Sequence, residues 1–248
     1  MAHDDIVFRF CEASDLPELR ALLTSFGLPS QDIRDGEQDY IIAVRARRIV
    51  GSVGIEKHGE AALLRSFAVI PELRGRGLGS KLYDRIVAHA TLRNVQVAYV
   101  LTTTAERFCT ARGFERIDRT SVPEALQATA VCMRRRLEGE ARHFPADVLR
   151  VRPDVPGAAK WAVALDRAML TYFEIAPHSR FDSHRHEGEQ ITLVLDGELF
   201  FEIDGNPVAV RAGQVVAIPS NVEHAAWTGE HGARAVDAWS PVRTHYLG

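Results

Sequence analysis

Two groups of residues in this chain have the types and spacing to do chemistry. The first is Arg74-Gly75-Arg76-Gly77-Leu78-Gly79, which follows an apolar strand-like run and opens a helical pattern. Glycines permit positive φ and close backbone approach. A helix N-terminus presents unpaired N–H groups and the positive end of its dipole. Together these bind phosphate, and Arg74 and Arg76 add charged donors. No Gly-Lys-Ser/Thr follows, so the run is not a Walker loop, and it comes after the fourth strand-like segment rather than the first, which argues against a dinucleotide fold. The second group is His184, His186, Gln190 and His224. Strand alternation puts the first three on one face, and a neighbouring strand must deliver His224. Three imidazoles and an amide oxygen make a divalent transition-metal site with open positions, compatible with Fe, Mn, Ni, Zn or Cu. Four neutral donors leave the metal its full charge to polarise an anionic or oxygen-rich ligand. Glu189 stays open as the fourth ligand if the turn at Gly188 shifts the register. His178, His231 and His245 fall outside this spacing and read as surface residues.

The elements around the two groups differ. Before the glycine-rich run, Ile6–Phe10 reads as a strand. Leu16, Leu19, Leu22 and Leu23 have helical spacing after an N-cap at Ser14 or Asp15 and before Gly27. Tyr40–Val44, Ile49–Ile55 and Ala62–Ile70 read as strands. After the run come a helix over Leu78–Thr91, a strand over Val95–Thr102, a short helix over Ala105–Arg112, and strands over Phe114–Asp118 and Val131–Leu137. Mixed strands and helices of this kind imply an α/β layered domain. Around the histidines, helical periodicity fades and short strand runs recur: Met169–Ile175, Gln190–Leu195, Leu199–Ile203, Val208–Val210, Val215–Ile218 and Ala235–Trp239, with turn dipeptides Asp196-Gly197 and Asp204-Gly205. That pattern implies an all-β sandwich or small barrel.

Charge divides the chain in the same place. Residues 1–150 hold 22 basic and 20 acidic side chains and residues 151–248 hold 8 and 13, so +2 and −5 sum to the net −3. Glu138–Pro156, charged and punctuated by Pro145, Pro153 and Pro156, reads as a linker, giving domains 1–138 and 157–248 with 139–156 between them. With 248 residues, 46% hydrophobic and 25% charged, either part can bury its own core. The net charge excludes a nucleic-acid-coating protein, and Arg134-Arg135-Arg136 reads as a solvated strand edge. No apolar run reaches the roughly 18 residues of a membrane span. The polar Met1–Asp5 is unlike a signal peptide. Three scattered cysteines, Cys11, Cys109 and Cys132, point to a reducing, cytoplasmic setting.

Arg74, Gly77 and Gly79 carry the Arg-x-x-Gly-x-Gly pattern and so resemble motif A of the GNAT superfamily of N-acetyltransferases. Leu64–Pro71 before the loop and Ala111-Arg112-Gly113-Phe114 after it are similar to that superfamily too, and the resemblance covers about residues 5–137. It implies an α/β (α+β) fold with a mixed central sheet. It further implies acetyl-CoA as cosubstrate, its pyrophosphate on Arg74, Gly75, Arg76, Gly77, Leu78 and Gly79, and its thioester aligned by the backbone of Phe67, Ala68 and Val69. Ala62–Ser66, Leu101–Ala105 and Gly113–Glu115 are similar to the arsenic-resistance N-acetyltransferases, which implies a small α-amino acid acceptor, although Pro123–Cys132 is shorter than in that group. Cys109 stands where many superfamily members carry a tyrosine that protonates the departing thiolate, so it is a candidate acid. A general base must take the amine's proton; Glu56 is the first candidate and Glu60 the second. Arg65 and Ser66 are further cleft candidates, and an arginine there could hold a substrate carboxylate.

His184, His186, Gln190 and Gly197, then Gly213, Pro219 and His224, resemble the two motifs of the cupin superfamily, over about residues 165–242. This implies a double-stranded β-helix, or jelly-roll barrel, holding a metal on His184, His186, Gln190 and His224, and a possible homodimer. The whole chain reads as an N-acetyltransferase acting on a small, amino-acid-like amine, fused to a metal-binding cupin that senses or processes a small ligand. The rival expectation makes the cupin the main metalloenzyme, a dioxygenase or isomerase, beside a degenerate transferase domain.

Overall fold

The computed structural model describes residues 6–33, 38–102, 105–118, 131–137, 139 and 141–247. The expectations resting on Met1–Asp5, on Thr103-Thr104 and on the stretch 123–130 lie outside the described residues. The chain divides into two compact units, Met1–Val148 and Leu149–Gly248. Part of the segment read as a linker is built into the units. Val148 is buried in the first unit's core, Arg85 Nε donates to Asp147 Oδ2 at 2.6 Å, and β8 (Arg152–Pro153) pairs with β9 (Ala158–Ala164) in the second unit.

In the first unit the order is β1 (Val7–Phe10), α1 (Leu16–Ser25), β2 (Asp39–Arg45), β3 (Arg48–His58), β4 (Ala61–Val69), α2 (Leu78–Leu92), β5 (Val97–Thr102), α3 (Glu106–Thr110), β6 (Glu115–Arg116) and β7 (Val131–Arg136). The strands form one sheet in the order β1-β2-β3-β4-β5-β7-β6. Only β4 with β5 is parallel; the other pairs are antiparallel. Helices cover both faces, which is why β2 reads as a continuous apolar run rather than an alternating one. Tyr40 and Ile42 pack with Leu19 and Leu23 of α1, while Ile41 and Ala43 pack on the other face with Leu82, Ile86 and Ala90 of α2. Pro17 sits in the first turn of α1, where its missing N–H has no partner to lose.

The second unit is built of strands, β9, β10 (Met169–Ile175), β11 (Arg180–His184), β12 (Glu189–Ile203), β13 (Asn206–Arg211), β14 (Val215–Ile218), β15 (His224–Trp227) and β16 (Ala233–Ser240), with β8 at one edge and a 3-10 turn at Thr244–Leu247. Strand β12 joins its two halves. Its first part pairs with β14 and β16, its second with β13 and β15. Inward residues Phe173, Val194, Leu199, Phe201 and Ile218 fill the barrel. The expected turn at Asp196-Gly197 is instead a bend within this one long strand, where the register with β16 shifts. Gly197 has φ 76°, and a Cβ on it would lie 2.2 Å from the Gly232 carbonyl oxygen. The glycine admits a neighbouring backbone rather than reversing the chain. The Asp204-Gly205 turn forms as expected, joining β12 to β13. Strands β9, β11 and β15 carried too few β-branched residues in sequence to be read.

A polar contact ties α2 to the sheet. Asp39, which opens β2, accepts from His89 Nε2 of α2 at 2.8 Å and pairs with Arg93, the C-cap of that helix. Burial would raise this carboxyl, but the His89 and Arg93 partners outweigh it and hold Asp39 at about 2. A depressed carboxylate contributes stability above its unfolded value of about 4 and loses it as pH falls through the folded value. The loss from pH 4 to 2 should be about 2 kcal/mol. Denaturant titrations of wild type and Asp39→Asn should therefore differ by that amount at pH 7 and converge near pH 2; a difference independent of pH would refute the assignment.

Candidate functional site

The sheet of the first unit splays open between β4 and β5. Parallel pairing of β4 with β5 runs from Ala61↔Val97 to Leu64↔Val100 and stops. Beyond it β5 continues against β7 to Thr102, while β4 continues against β3 to Val69. The backbone of Arg65–Val69 thus has an edge facing an opening rather than a strand. A bulge marks the departure: Ser66 has φ 54°, the register with β3 shifts between Ser52 and Gly54, and the Ser66 carbonyl accepts from Ser52 Oγ at 2.9 Å. Phe67 and Val69 turn toward the α2 face with Leu64, while Ala68 joins the α1 face. Past the 3-10 turn Pro71–Leu73, the glycine-rich run ends on Gly77 as N-cap of α2, with φ 80° and no side-chain cap. The first N–H groups of a 15-residue helix are therefore left for a ligand. A Cβ on Gly75 or Gly77 would meet nothing within 4 Å, so positive φ, not crowding, calls for glycine there. Leu78 is buried, and Gly79 packs near Phe67 and Phe108. Arg76 is exposed. The Arg74 side chain turns back, its Nε donating to the Val69 carbonyl at 2.9 Å and its guanidinium lying over the Phe26 ring.

The opposite wall of the opening is polar. Arg65 donates from one terminal nitrogen to Glu56 Oε2 at 3.0 Å and from the other to Asp32 Oδ2 at 2.5 Å. The other Glu56 oxygen lies 3.0 Å from His58 Nε2. The Tyr40 ring covers Gly54, where a Cβ would come within 2.4 Å of it. Burial pushes its phenol up against the charge of Arg65. Glu60 is exposed in the β3–β4 turn, and its carbonyl accepts from Gln96 and Val97 at the paired end of β4. Strand rise puts it roughly 15 Å from Arg65. Cys109 is buried in the α2-side core, and burial pushes its thiol up, so it holds its proton at neutral pH.

The second unit brings its three histidines together. His184, the last residue of β11, pairs directly with His224 on β15, and His186 arrives from the turn before β12. Turn geometry, rather than alternation along a single strand, makes these side chains converge. Their ligand atoms lie within 4.8 Å of one another. Each Nδ1 meets a backbone carbonyl: Asp182 at 2.8 Å for His184, Gly188 at 2.6 Å for His186 and Val222 at 2.9 Å for His224. A carbonyl only accepts, so each Nδ1 carries the hydrogen and each Nε2 presents a lone pair. Burial lowers His186 and His224, keeping both neutral at pH 7.

Gln190 is buried, and Glu189 is exposed. The Gln190 amide nitrogen donates to Thr192 Oγ1 at 2.9 Å and Asp237 Oδ2 at 3.1 Å, and Thr192 Oγ1 donates to Asp237 Oδ1 at 2.6 Å. This turns Gln190 Oε1 toward His186 Nε2, 3.2 Å away. Two lone pairs then face each other, and His224 Nε2 is buried with no partner at all. A cation resolves both, so the donor set fits a metal ion. Burial pushes Asp237 up to about 7 against the hydrogen bonds of Thr192 and Gln190. The adjoining cavity is about 50 Å³, walled by Phe173, Phe201, Trp239 and Tyr246. His178, His231 and His245 are exposed.

Sequence reasoning missed Asp32, Tyr40 and His58 in the first site and Thr192 and Asp237 in the second. Two of these left a signal. Thr192 and Asp237 occupy inward positions of strands whose other inward residues, Gln190 aside, are apolar, and a polar residue there calls for a partner. Asp32 and Tyr40 left none, because only the tertiary fold brings them to Arg65.

Comparison with known proteins follows the same division. A family model described as an acetyltransferase (GNAT) domain matches residues 36–116, and one described as a cupin domain matches residues 171–239. A curated relative, dimethylsulfoniopropionate lyase DddW of Ruegeria pomeroyi, is 36% identical over 66 residues, which are 27% of this chain and 43% of the lyase. The chain thus matches less than half of that relative's length. Among solved structures, a GNAT-family acetyltransferase of Staphylococcus aureus covers 54% of this chain and 100% of its own at 19% identity and TM-score 0.47. KdgF from a Halomonas species covers 41% and 96% at 24% identity and TM-score 0.39. The chain carries a GNAT acetyltransferase domain followed by a cupin domain.

Proposed function

We propose that the first unit is an acetyl-CoA-dependent N-acetyltransferase acting on a small amine. The observation that carries this is the opening between β4 and β5 beside the uncapped N-terminus of α2. Acetyl-CoA, when bound, supplies the acetyl thioester. The N–H groups of the first turn of α2 and the Gly75–Gly77 backbone hold phosphate oxygens, and the free edge of Phe67–Val69 donates to and accepts from the pantetheine amides. Arg74, tied to Val69 and Phe26, stiffens the loop. In the transfer the amine nitrogen forms a bond to the acetyl carbon, the carbon–sulfur bond breaks, and the ammonium gives up two protons. One reaches the thiolate, for which Cys109 is the candidate donor. The other leaves through Glu56, whose contact with His58 leads toward solvent.

We propose that the second unit holds a divalent transition metal on His184, His186, His224 and Gln190, with a small ligand in the cavity beside it. The ion supplies Lewis acidity. The chain's part is to fix the imidazole tautomers and, through Asp237 and Thr192, the direction of the Gln190 oxygen. A second reading makes this unit the principal metalloenzyme; its support is the completeness of the donor set and the lyase activity named for the curated relative. A homodimer has a physical seat as well: Ile191, Leu193 and Leu195 of β12, Val215 of β14 and Leu170 of β10 are exposed on the outer sheet face. The cytoplasmic setting stays an expectation; no helix among the described residues is long and apolar enough to cross a membrane.

Thiol release from acetyl-CoA with an amine panel tests the transferase. Gly77→Glu should lower kcat/KM about tenfold or more, through strain at positive φ and charge repulsion of phosphate. Glu56→Gln should lower kcat by about 10²–10⁴ if Glu56 is the base. Unchanged rates in both variants would reject these roles. In the other unit, chelator competition should show one tightly held metal, lost in His224→Ala and weakened about 10- to 100-fold in Asp237→Asn. If His224→Ala leaves thiol release intact, the two units work separately. Undiminished metal binding in His224→Ala would reject the site.

A further inference from the structure

We infer that the acceptor is a primary amine with no carboxylate close to its nitrogen, recognised as a cation by Glu56 and Asp32; this rests on the transferase reading above. The placement comes first. Leu64, Phe67 and Val69 pack on the face covered by α2, whose N-terminus awaits phosphate. Tyr40, beside Arg65, packs on the opposite face with α1. An acyl group reaching the splay from the α2 side therefore meets its acceptor on the side lined by Arg65, Glu56, Asp32 and Tyr40.

Charge on that side sets the acceptor class. The Arg65 side chain is 14% exposed, and both of its terminal nitrogens already donate to carboxylates. One guanidinium faces two carboxylates, an excess of one negative charge among these three groups. An arginine so committed is not an open receptor for a substrate carboxylate. The hydroxyls of Tyr40 and Ser66 are buried in the same wall and turned toward each other, and their oxygens keep lone pairs that an N–H donor can use. An ammonium brings three N–H donors and one positive charge. It satisfies what the wall lacks, whereas an α-carboxylate beside the nitrogen would meet the surplus negative charge. The α-amino acid implied by the arsenic-resistance resemblance would have to break the Arg65–Asp32 pair to bind.

Matched acceptors test this directly. The full chain is assayed for thiol release with tyramine against tyrosine, putrescine against ornithine and agmatine against arginine. The member without the carboxylate should have the higher kcat/KM by about tenfold or more, the size of one poorly screened unit charge at this range. Asp32→Asn removes one anion and loosens Arg65. Asp32 is half exposed, so the fold should tolerate the change. That variant should narrow the ratio several-fold, mainly through KM. Transfer to the amino acids at equal or better kcat/KM would overturn the proposal while leaving the transferase standing, as would a ratio unmoved by Asp32→Asn. Thiol release with no acceptor of any pair would overturn the transferase reading and this inference together.

Discussion

Parallel pairing between β4 and β5 lasts four residues, from Ala61↔Val97 to Leu64↔Val100, and the chemistry of the first unit depends on its end. A parallel ladder continued to Val69 would consume the N–H and C=O groups of Phe67–Val69 that an extended ligand needs. The bulge at Ser66 sets the divergence. It holds a non-glycine residue at φ 54°, a conformation that costs energy and persists only where its surroundings impose it. Here the Ser52 hydroxyl, donating to the Ser66 carbonyl from β3, helps hold it. The bulge also resets the facing of the strand, so that Arg65 lies on the α1 side while Phe67 points to α2. One irregular residue thus separates the side facing α2 from the side facing Arg65 and Tyr40.

The second unit reaches its geometry by other means. Here three backbone carbonyls fix three imidazoles. Gln190 then depends on a buried carboxylate, Asp237, that lines the same cavity. Asp237 accepts from both Gln190 and Thr192, so the amide oxygen cannot turn away without leaving a buried acceptor unpaired. If the proposed metal binds, a neutral inner donor set backed by this acid would leave the local charge positive while limiting the cost of burying it.

Much of this was legible in the sequence because the informative features are local. The glycine-rich approach to α2 lies within Arg74–Gly79, and the histidine pair lies within three residues. Inward and outward positions along β10, β12 and β16 follow simple alternation. What stayed hidden was set by tertiary closure. Asp196-Gly197 looks like a hairpin turn because local chemistry cannot distinguish a reversal from a bend forced by the Gly232 carbonyl. Arg65 looks like an anion receptor until the fold brings Asp32 to it from 33 residues away. Arg74 looks like a phosphate ligand until Phe26 and the Val69 carbonyl are seen to hold it.

The two sites share a physical logic despite their different folds. Folded chains pair nearly all of their buried polar groups, and each exception costs stability. In the first unit the exceptions include the uncapped start of α2, the free edge of β4 and the unused lone pairs of the Tyr40 and Ser66 hydroxyls. In the second they include His224 Nε2 and the facing lone pairs of His186 and Gln190. Under the proposed functions, phosphate oxygens and amides would meet the first set, an ammonium the hydroxyl oxygens, and a cation the imidazoles. A carboxylate at the Glu56 wall would add to the charge already in surplus there. The orphaned groups therefore define the chemistry more tightly than the shapes of the openings around them.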